Sequence, residues 1–497
     1  MAYFTLLGHP MNVRRCLSFL FVCAISLFIA LVPESFLGVV EVINPETGDV
    51  LSTRPLFTLT QQRVIAIFVF TALMWILEVI PTWTTSVVAI VSILLTTSNK
   101  GLAFLMDGDN IGSSTNYKDV MAAFADPVIM LFLGGFVLAF AATKVGLDVQ
   151  LAKVMLKPFG KNPKFVLLGV LLVIGVFSMF MSNTATAAMM LTFLTPILAT
   201  LPADGGGRIS LALAIPIAAN LGGMGTPIGT PPNAIALGAL QAEGYDITFG
   251  AWALRMIPFV IVMLLFAWFL LMKLFPFKAK AIELKIEGSP IKTTPFQKYV
   301  VWVTFALTII LWIGEGFFKV NSNIVAMIPF AVFSATGILK AKDLANINWA
   351  VLWMVAGGFA LGTALKQTGL ADTLISAIPF GDWNVLVVML VGGFICYFLS
   401  NFISNSAAAN LVVPILVTVG TAMAGTPAFD ALGGVPALVI GVAICASIAM
   451  CLPVSTPPNA LAHSTGMITT KQMATVGIII GVVGFVLGYL MLIFVGF

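Results

Sequence analysis

The sequence has 497 residues, of which 60% are hydrophobic and only 9% are charged, with a formal net charge of +4. A soluble protein carries roughly 25% charged residues, so this composition excludes the soluble classes and predicts an all-α, polytopic protein of the lipid bilayer. The small net charge gives no reason to expect nucleic acid as a partner.

Apolar stretches that could cross a bilayer recur along the chain, since a spanning helix needs about 20 apolar residues. Arg14 and Arg15 precede the first stretch without an obvious cleavage site. We therefore interpret that stretch as a retained first helix that also targets the chain to the membrane. About eleven spans are predicted, near 16–34, 62–80, 83–97, 127–144, 209–240, 249–276, 297–317, 322–339, 348–366, 434–463 and 473–497.

Two further apolar stretches, 165–200 and 384–424, each contain a polar triplet near the middle. Each is too long for one span and has little loop if it forms two, so we predict a re-entrant helical hairpin that returns to its starting side. With the N-terminus inside, the predicted inner segments carry most of the 24 Lys and Arg residues. The positive-inside rule then favours a cytoplasmic N-terminus and an outer C-terminus.

The chain contains an internal repeat. We predict that an odd number of membrane crossings separates its two copies, so the copies should be inverted. Inverted repeats with interrupted helices are typical of secondary transporters. Three blocks recur 222 to 226 positions later: Gly-Gly-Phe of 133–148 at 356–372, Ser-Asn-Thr of 182–184 as Ser-Asn-Ser at 404–406, and Thr-Pro-Pro-Asn of 230–233 at 456–459.

The polar blocks suggest how an anion and a cation could bind. If a helix starts at each triplet, its first N–H groups lack partners and form an anion site, beside Asn amides and Ser or Thr hydroxyls. Two consecutive prolines break a helix, and the carbonyls freed there suit sodium. None of these blocks contains Lys, Arg, Asp or Glu. The positive charge for an anion would therefore come from helix N-termini and co-bound cations.

Two competing classes find less support. A cation/proton antiporter needs an ionisable residue in the membrane, and the motif blocks hold none. An enzyme is not expected, because the sequence shows no metal cluster, nucleophile–base pair or phosphate loop. His463 follows Asn459 by four residues, on the same helix face. It could tune the site or sense pH, or it could be a polar packing residue.

The paired triplets, the paired Thr-Pro-Pro-Asn blocks and the Gly-Gly-Phe helices resemble the divalent anion/sodium symporter family. That family includes sodium-coupled dicarboxylate, citrate and sulfate transporters. Residues 447–462 resemble its C-terminal signature, and the resemblance extends over about 60–497. It implies a homodimeric, elevator-type transporter. The implied domains are a first scaffold segment (1–162), a first transport segment (163–276), a cytoplasmic linker (277–295), a second scaffold segment (296–382) and a second transport segment (383–497).

The resemblance also implies the site residues. It implies no cofactor beyond sodium as the coupling ion. Ser406 stands where the dicarboxylate members usually have Thr, so a methyl is lost and the substrate preference is open. One sodium maps onto Ser178, Ser182, Asn183 and Gly229, the second onto Ser400, the backbone carbonyl of Ile403, Asn405 and Ser455, and the anion onto Asn183, Thr184, Asn405 and Ser406, with Pro457 lining the site.

We therefore expect a sodium-coupled symporter of a bacterial inner membrane that imports a small divalent anion. A C4 dicarboxylate such as succinate, malate or fumarate is the favoured cargo. The alternatives on the same fold are a sodium-independent dicarboxylate exchanger and a sulfate or citrate symporter. The number of sodium ions in each cycle is open.

Overall fold

The computed structural model describes residues 3–6, 9–43, 50–108, 110–202, 205–282, 293–377 and 383–497. These residues are mostly helical, which confirms the predicted helical class. Most of the predicted linker 277–295 lies outside the described residues. The chain forms two compact units, one of residues 1–126, 350–384 and 414–426 and one of residues 127–349, 385–413 and 427–497. The predicted division into scaffold and transport segments stays a prediction.

Twenty-three α-helices are found in the described ranges. The first eleven are α1 Val13–Leu31, α2 Leu59–Leu77, α3 Thr82–Thr96, α4 Tyr117–Ala122, α5 Pro127–Val145, α6 Leu147–Leu156, α7 Pro163–Phe180, α8 Asn183–Thr200, α9 Gly206–Gly223, α10 Pro231–Ala242 and α11 Phe249–Leu274. The remainder are α12 Pro295–Ile313, α13 Glu315–Phe318, α14 Ser322–Val325, α15 Met327–Ala335, α16 Trp349–Gln367, α17 Leu370–Ala377, α18 Val385–Ser400, α19 Asn405–Met423, α20 Pro427–Ala431, α21 Gly434–Ile448, α22 Pro457–Ser464 and α23 Thr470–Phe494.

Two short antiparallel strand pairs near the N-terminus, which the sequence analysis did not predict, accompany the helices. Strands β1 (Tyr3–Leu6) and β2 (His9–Asn12) form one pair, and β3 (Val39–Ile43) and β4 (Val50–Pro55) form the other. The segment β3 reads Val-Val-Glu-Val-Ile, and such β-branched residues favour an extended backbone.

Nine helices in the portion of the chain that the structure describes are long and apolar enough to cross a membrane. They are α1, α2, the segment Tyr117–Val145 that contains α4 and α5, α7, α11, α12, α16, α19 and α23. Four shorter apolar segments accompany them, at Thr82–Thr96, Ser322–Ala335, Val385–Ser400 and Gly434–Ile448. The count of eleven spans, the re-entrant hairpins and the inverted repeat stay predictions.

Four apolar stretches are interrupted at the polar blocks. We call residues 181–182, between α7 and α8, the first tip, and residues 401–404, between α18 and α19, the second tip. Residues 224–230, between α9 and α10, are the first break, and residues 449–456, between α21 and α22, are the second break. Helices α10 and α22 each begin at the first proline of Pro-Pro, where the missing N–H would have no helical partner. The prolines thus mark where each helix resumes.

An ion pair ties the end of α5, the first Gly-Gly-Phe helix, to a 3₁₀ turn at Ala341–Asn346. Lys144 Nζ donates to Asp343 Oδ2 and to the carbonyl of Ile338, the latter at 2.8 Å. The hydrogen bond from Lys144 is the largest cause that lowers the pKa of Asp343 below its usual value. This carboxylate therefore stabilises the fold above the pKa it has in the unfolded chain, and the contribution is lost as the pH falls through the lowered pKa.

Replacing Asp343 by Asn should destabilise the protein at neutral pH by about 1 kcal/mol, because a partly exposed charged hydrogen bond is lost. Thermal unfolding in detergent, at pH 7 and at an acid pH below the lowered pKa of Asp343, measures this. The difference from wild type should shrink at the acid pH, where Asp343 is protonated. Asp372→Asn removes an exposed carboxylate and is the control. A difference that persists undiminished in acid would contradict the assignment.

Candidate functional site: two tips and two breaks

The first tip interrupts the chain at the Ser-Asn-Thr triplet, as the sequence predicts. Helix α7 ends at Phe180, and Met181 and Ser182 are extended, with φ of −123° and −61°. The hydroxyl of Ser182 accepts from the backbone N–H of Ala185 at 3.2 Å and so caps α8, which starts at Asn183. A serine at this position satisfies one of the N–H groups that a helix start leaves without a partner. The triplet is thus the N-terminus of a helix.

A cluster of oxygens lies between the first tip and the first break. One terminal atom of the Asn183 amide has three acceptors around it: Ser178 Oγ at 2.7 Å, Gly229 O at 3.0 Å and Ala219 O at 3.1 Å. Hydrogen-bond partners decide which terminal atom is nitrogen, and three acceptors require nitrogen when no cation is bound. Ser178 Oγ also donates to Ala219 O at 2.6 Å. We call Ser178, Asn183, Ala219 and Gly229 the first cluster.

Glycine at position 223 makes the first cluster possible. A Cβ atom there would lie 2.4 Å from the amide of Asn183, closer than any real contact. A Cβ on Gly229 would in turn lie 2.3 Å from the carbonyl of Gly223. The absence of side chains at Gly223 and Gly229 therefore lets the end of α9, the first break and the start of α8 approach one another.

The second tip has the same arrangement, with residues 222 positions later. Ser400 Oγ lies 2.8 Å from Asn405 Oδ1 and 2.9 Å from the carbonyl of Ala446, near the end of α21. A hydroxyl has one hydrogen to donate, so these two acceptors compete for it. Ser400 and Asn405 are both buried. We call Ser400, Asn405 and Ala446 the second cluster.

Side-chain hydroxyls join each tip to its break. Thr226, in the first break, donates to the carbonyl of Met179. Ser455, in the second break, donates to the carbonyl of Asn401 at 2.9 Å, and Asn401 Oδ1 accepts from the N–H of Cys451 at 3.0 Å. Positions 179 and 401 are again 222 apart. The hydrogen bond between tip and break therefore ends on the corresponding carbonyl in both halves. The hydroxyl that donates it comes from a different position in each break.

The last residue of each Thr-Pro-Pro-Asn block holds its own break in place. Asn233 Nδ2 donates to the carbonyl of Thr226 at 2.8 Å and has those of Met224 at 3.4 Å and Gly223 at 3.2 Å within reach. Correspondingly, 226 positions later, Asn459 Nδ2 donates to the carbonyls of Met450 at 2.8 Å and Leu452 at 2.9 Å. Both side chains are 1% exposed. Each amide thus satisfies carbonyls that the interrupted helix cannot pair.

Within the second compact unit, elements of the two sequence halves pack against each other. Helix α22, which follows the second break, contacts α8 and α9 of the first half. Helix α10, which follows the first break, contacts α21 of the second half. The first tip and the second break therefore belong to neighbouring elements.

The chemistry of these segments is that of neutral oxygens and helix ends. The clusters offer hydroxyl, amide and carbonyl oxygens, and α8, α10, α19 and α22 all start at a tip or a break. A helix N-terminus carries a partial positive charge that favours an anion. Among the described residues, no group of three or more His, Cys, Asp or Glu could hold a metal ion. Any ion bound here would meet neutral ligands.

The remaining predicted site residues differ in how exposed they are. Thr184 and Pro457 are exposed, and Ser406 is buried at 9% exposure. Ile403 is buried, and its N–H donates to the carbonyl of Leu399 at 3.0 Å. Ser182 serves as a helix cap. The assignment of these residues to sodium and anion stays a prediction.

Sequence reasoning missed Thr226 and Asn401. Each is a polar side chain beside a recognised block, Thr226 in Gly-Thr-Pro before the double proline and Asn401 directly after Ser400. A signal was therefore present, but their partners lie about 50 residues away along the chain. His463 Nε2 lies 3.1 Å from Thr470 Oγ1, at the start of α23. This contact supports the packing interpretation of His463.

The sequence model described as "Citrate transporter" matches residues 72–433. The chain belongs to the citrate transporter family. The predicted resemblance is confirmed, and the family indicates an integral membrane transporter rather than an enzyme. An uncharacterized transporter of Haemophilus influenzae is 33% identical, with 74% of this chain and 80% of that protein covered. The sodium-dependent dicarboxylate transporter SdcS of Staphylococcus saprophyticus is 31% identical, with coverage of 83% and 82%.

Two further similarities are more distant. The inorganic phosphate transporter PHO87 of Saccharomyces cerevisiae is 28% identical, over 91% of this chain and 48% of that protein. The crystal structure of the YdaH transporter of Alcanivorax borkumensis aligns with a TM-score of 0.54 at 13% identity, covering 97% of this chain and 98% of that one. The latter similarity concerns the fold alone.

Replacing Asn233 by Ala should lower the free energy of unfolding by about 1–3 kcal/mol, because buried carbonyls of the first break lose their donor. Asn233→Asp keeps the size of the side chain but turns an acceptor toward those carbonyls, so it should be at least as destabilising. Thermal unfolding in detergent measures both. Gln241→Ala, at the partly exposed end of the same helix α10, is the control. Midpoints equal to wild type for both Asn233 variants would contradict the role assigned to this amide.

Proposed function

We propose that this protein is a sodium-coupled secondary active symporter that imports a small divalent anion, with a C4 dicarboxylate as the favoured cargo. The observation that carries the proposal is the pair of oxygen clusters at the two tips. In each, a serine hydroxyl lies within about 3 Å of both an asparagine amide and a helix-end carbonyl.

The donor set fits sodium. Unwound carbonyls and helix C-terminal ends are what secondary transporters use for this ion. In the first cluster, rotation of the Asn183 amide would turn Oδ1 toward Ser178 Oγ, Ala219 O and Gly229 O. A cation would then receive four neutral oxygens. In the second cluster, the acceptors outnumber the one hydroxyl hydrogen, and a cation removes that mismatch.

The anion is assigned to the helix starts beside the clusters. Helices α8 and α19 begin at Asn183 and Asn405 and are followed by hydroxyls at Thr184 and Ser406. Backbone N–H groups at a helix start bind carboxylates. Two such starts match the two carboxylates of a dicarboxylate, and a sodium ion beside each offsets the negative charge. The name of the SdcS relatives supports both the substrate class and the ion.

The proposal includes the architecture and the transport cycle that the family resemblance implies. The protein would be a homodimer with inverted repeats, and the segments that carry the tips would move as an elevator. Two sodium ions with a dianion move no net charge. A third sodium would make import electrogenic, and each net charge gains about 2.3 kcal/mol per 100 mV of membrane potential.

Two other functions have specific support. A citrate symporter is favoured by the description of the family that the chain matches. A sodium-independent exchanger could use the same helix starts for the anion with the amide of Asn183 in its nitrogen-facing orientation.

Uptake of radiolabelled succinate into proteoliposomes tests the function. We expect an inward sodium gradient to drive accumulation, with malate and fumarate competing and citrate, sulfate and phosphate having little effect. Empty liposomes and a potassium gradient are the controls. Uptake that ignores sodium but requires internal dicarboxylate would make this protein an exchanger. Competition by citrate, sulfate or phosphate, but not by malate or fumarate, would assign the competing anion as the cargo in place of a C4 dicarboxylate.

Asn183→Ala and Asn405→Ala should each lower the initial rate of uptake by at least about 100-fold. Asn183 contacts three atoms of its cluster and Asn405 contacts Ser400, and in the proposed site each amide also meets a sodium ion and the anion. Hydrogen bonds to charged groups contribute roughly 1.5–3 kcal/mol each, while about 1.4 kcal/mol corresponds to tenfold. Thr192→Ala is the matched control, because Thr192 lies on the exposed side of α8 and its hydroxyl donates to the carbonyl of Ala188. Gel filtration in detergent checks that the variants are folded. Wild-type uptake by either variant would remove that asparagine from the site.

A further inference from the structure

Asn220 is a buried amide in α9 that sequence reasoning did not single out. It lies in an otherwise apolar turn, Ile-Ala-Ala-Asn-Leu, three residues before the end of the helix, and is 1% exposed. Its Nδ2 donates to Thr456 Oγ1 and to Asn459 Oδ1, both at 3.1 Å. Asn220 therefore connects a helix of the first half to the second break.

The orientation of this amide follows from its neighbours. Asn459 directs its nitrogen at the carbonyls of Met450 and Leu452, so its oxygen faces Asn220. An oxygen can only accept, and the atom of Asn220 that contacts it must be nitrogen. Thr456 Oγ1 accepts from the N–H of Asn459 at 3.2 Å as well. Asn220 thus binds the hydroxyl that caps α22.

The same turn of α9 also supplies a ligand to the first cluster. The carbonyl of Ala219, the residue before Asn220, accepts from Ser178 Oγ at 2.6 Å and lies 3.1 Å from the amide of Asn183. A displacement of this turn would therefore move a first-cluster oxygen and the second break together. In the second break, Ser455 donates to Asn401 and so reaches the second tip.

The hydrogen bonds from Asn220 in α9 to the second break have no counterpart between α21 and the first break within the described residues. The carbonyl of Ala446 corresponds to that of Ala219, so Ser447 corresponds to Asn220, and its hydroxyl makes no hydrogen bond in the part of the chain that the structure describes. The first break is therefore not tied to α21 by an equivalent amide. A simple packing role would not select asparagine, because its Oδ1 is buried without a hydrogen-bond partner in the described segments of the chain. A buried acceptor of this kind calls for a functional explanation.

We propose that Asn220 is a positioning residue that couples the two sodium sites, a proposal that rests on the function proposed above. Sodium in the first cluster fixes the carbonyl of Ala219 and with it the turn that carries Asn220. Asn220 then holds Thr456 and Asn459, which set the geometry of the second break beside the second cluster. Binding of the first ion thereby raises the affinity for the second.

The test measures sodium binding in two ways, by the shift in the thermal unfolding midpoint with sodium concentration and by the sodium dependence of succinate uptake. For Asn220→Ala we expect the Hill coefficient of sodium activation to fall toward unity. The sodium concentration for half-maximal stabilisation should rise about fivefold or more, the lower end of typical coupling factors. A merely structural role would lower the midpoint in the absence of sodium and leave the Hill coefficient at its wild-type value.

Matched variants separate coupling from general damage. Ser447→Ala removes a buried hydroxyl of α21 that makes no hydrogen bond within the described residues, and we expect no change in cooperativity. Thr456→Val removes the acceptor from the other side of the link and should reproduce the effect of Asn220→Ala. Thr456→Ser keeps the oxygen and should retain wild-type behaviour. If Asn220→Ala does not fold, the pair of Thr456 variants decides the question alone.

The outcomes distinguish this proposal from the function itself. A cooperative wild type whose cooperativity is lost in both Asn220→Ala and Thr456→Val, or in Thr456→Val where Asn220→Ala does not fold, but kept in Thr456→Ser and Ser447→Ala, supports the coupling. A cooperative wild type matched by Asn220→Ala or Thr456→Val overturns the coupling and leaves the symporter function intact. A wild type that shows no stabilisation by sodium and no sodium-dependent uptake overturns both.

Discussion

The structure depends on how broken helices satisfy their backbone groups away from water. Within a bilayer an interrupted helix leaves N–H and carbonyl groups that solvent cannot pair, so such segments persist only where protein groups or a wet cavity pair them. Asn233 and Asn459 meet this requirement for the two breaks, since each donates to carbonyls that the interrupted helix has left free. Helix caps meet it at the tips, where the hydroxyls of Ser182 and Ser404 accept from the starts of α8 and α19.

Once the breaks are held in this way, a few carbonyls remain directed at the tips. Ala219 and Ala446 present theirs to the hydroxyls of Ser178 and Ser400. These oxygens are close together in blocks that contain no Lys, Arg, Asp or Glu, an arrangement that is costly unless hydrogens or a cation lie among them. The segments whose carbonyls must be paired within the protein are therefore the same short segments that would bind a cation. This explains why serine and asparagine recur in two otherwise apolar stretches.

The sequence predicts much of this arrangement but not all of it. Double prolines and polar triplets identify where the helices stop and resume, because proline lacks a donor and serine caps a helix start. The contacts of Thr226 and Asn401 were not predictable in the same way, since a hydroxyl or amide that bonds to a carbonyl about 50 residues away leaves no periodic signal. Asn220 bonds across more than 200 residues. The strands β3 and β4 were missed because the apolar pattern nearby was interpreted only for spans.

The number of spans could not be fixed from hydropathy for a related reason. A helix that stops at a break is shorter than a full span. The apolar segment Gly434–Ile448 is too short to be counted with the nine, although with α22 it fills one predicted span. Hydropathy averages over the break and treats both pieces as one element. In the structure, the hydrogen bonds of Asn459 to the carbonyls of Met450 and Leu452 mark the segment in which the helix is interrupted.

The two halves resemble each other in position more than in detail, and the difference has a consequence for the ions. In the first half position 229 is glycine, so its carbonyl approaches Asn183 and a threonine at 226 holds the tip. In the second half the corresponding position is Ser455, whose own hydroxyl holds the tip at Asn401. Gly229 thus contributes its backbone carbonyl to the first cluster. Ser455 instead uses its side-chain hydroxyl to bind the second tip. If sodium binds at both clusters as proposed, these different sets of oxygens predict unequal affinities and therefore a preferred order of binding.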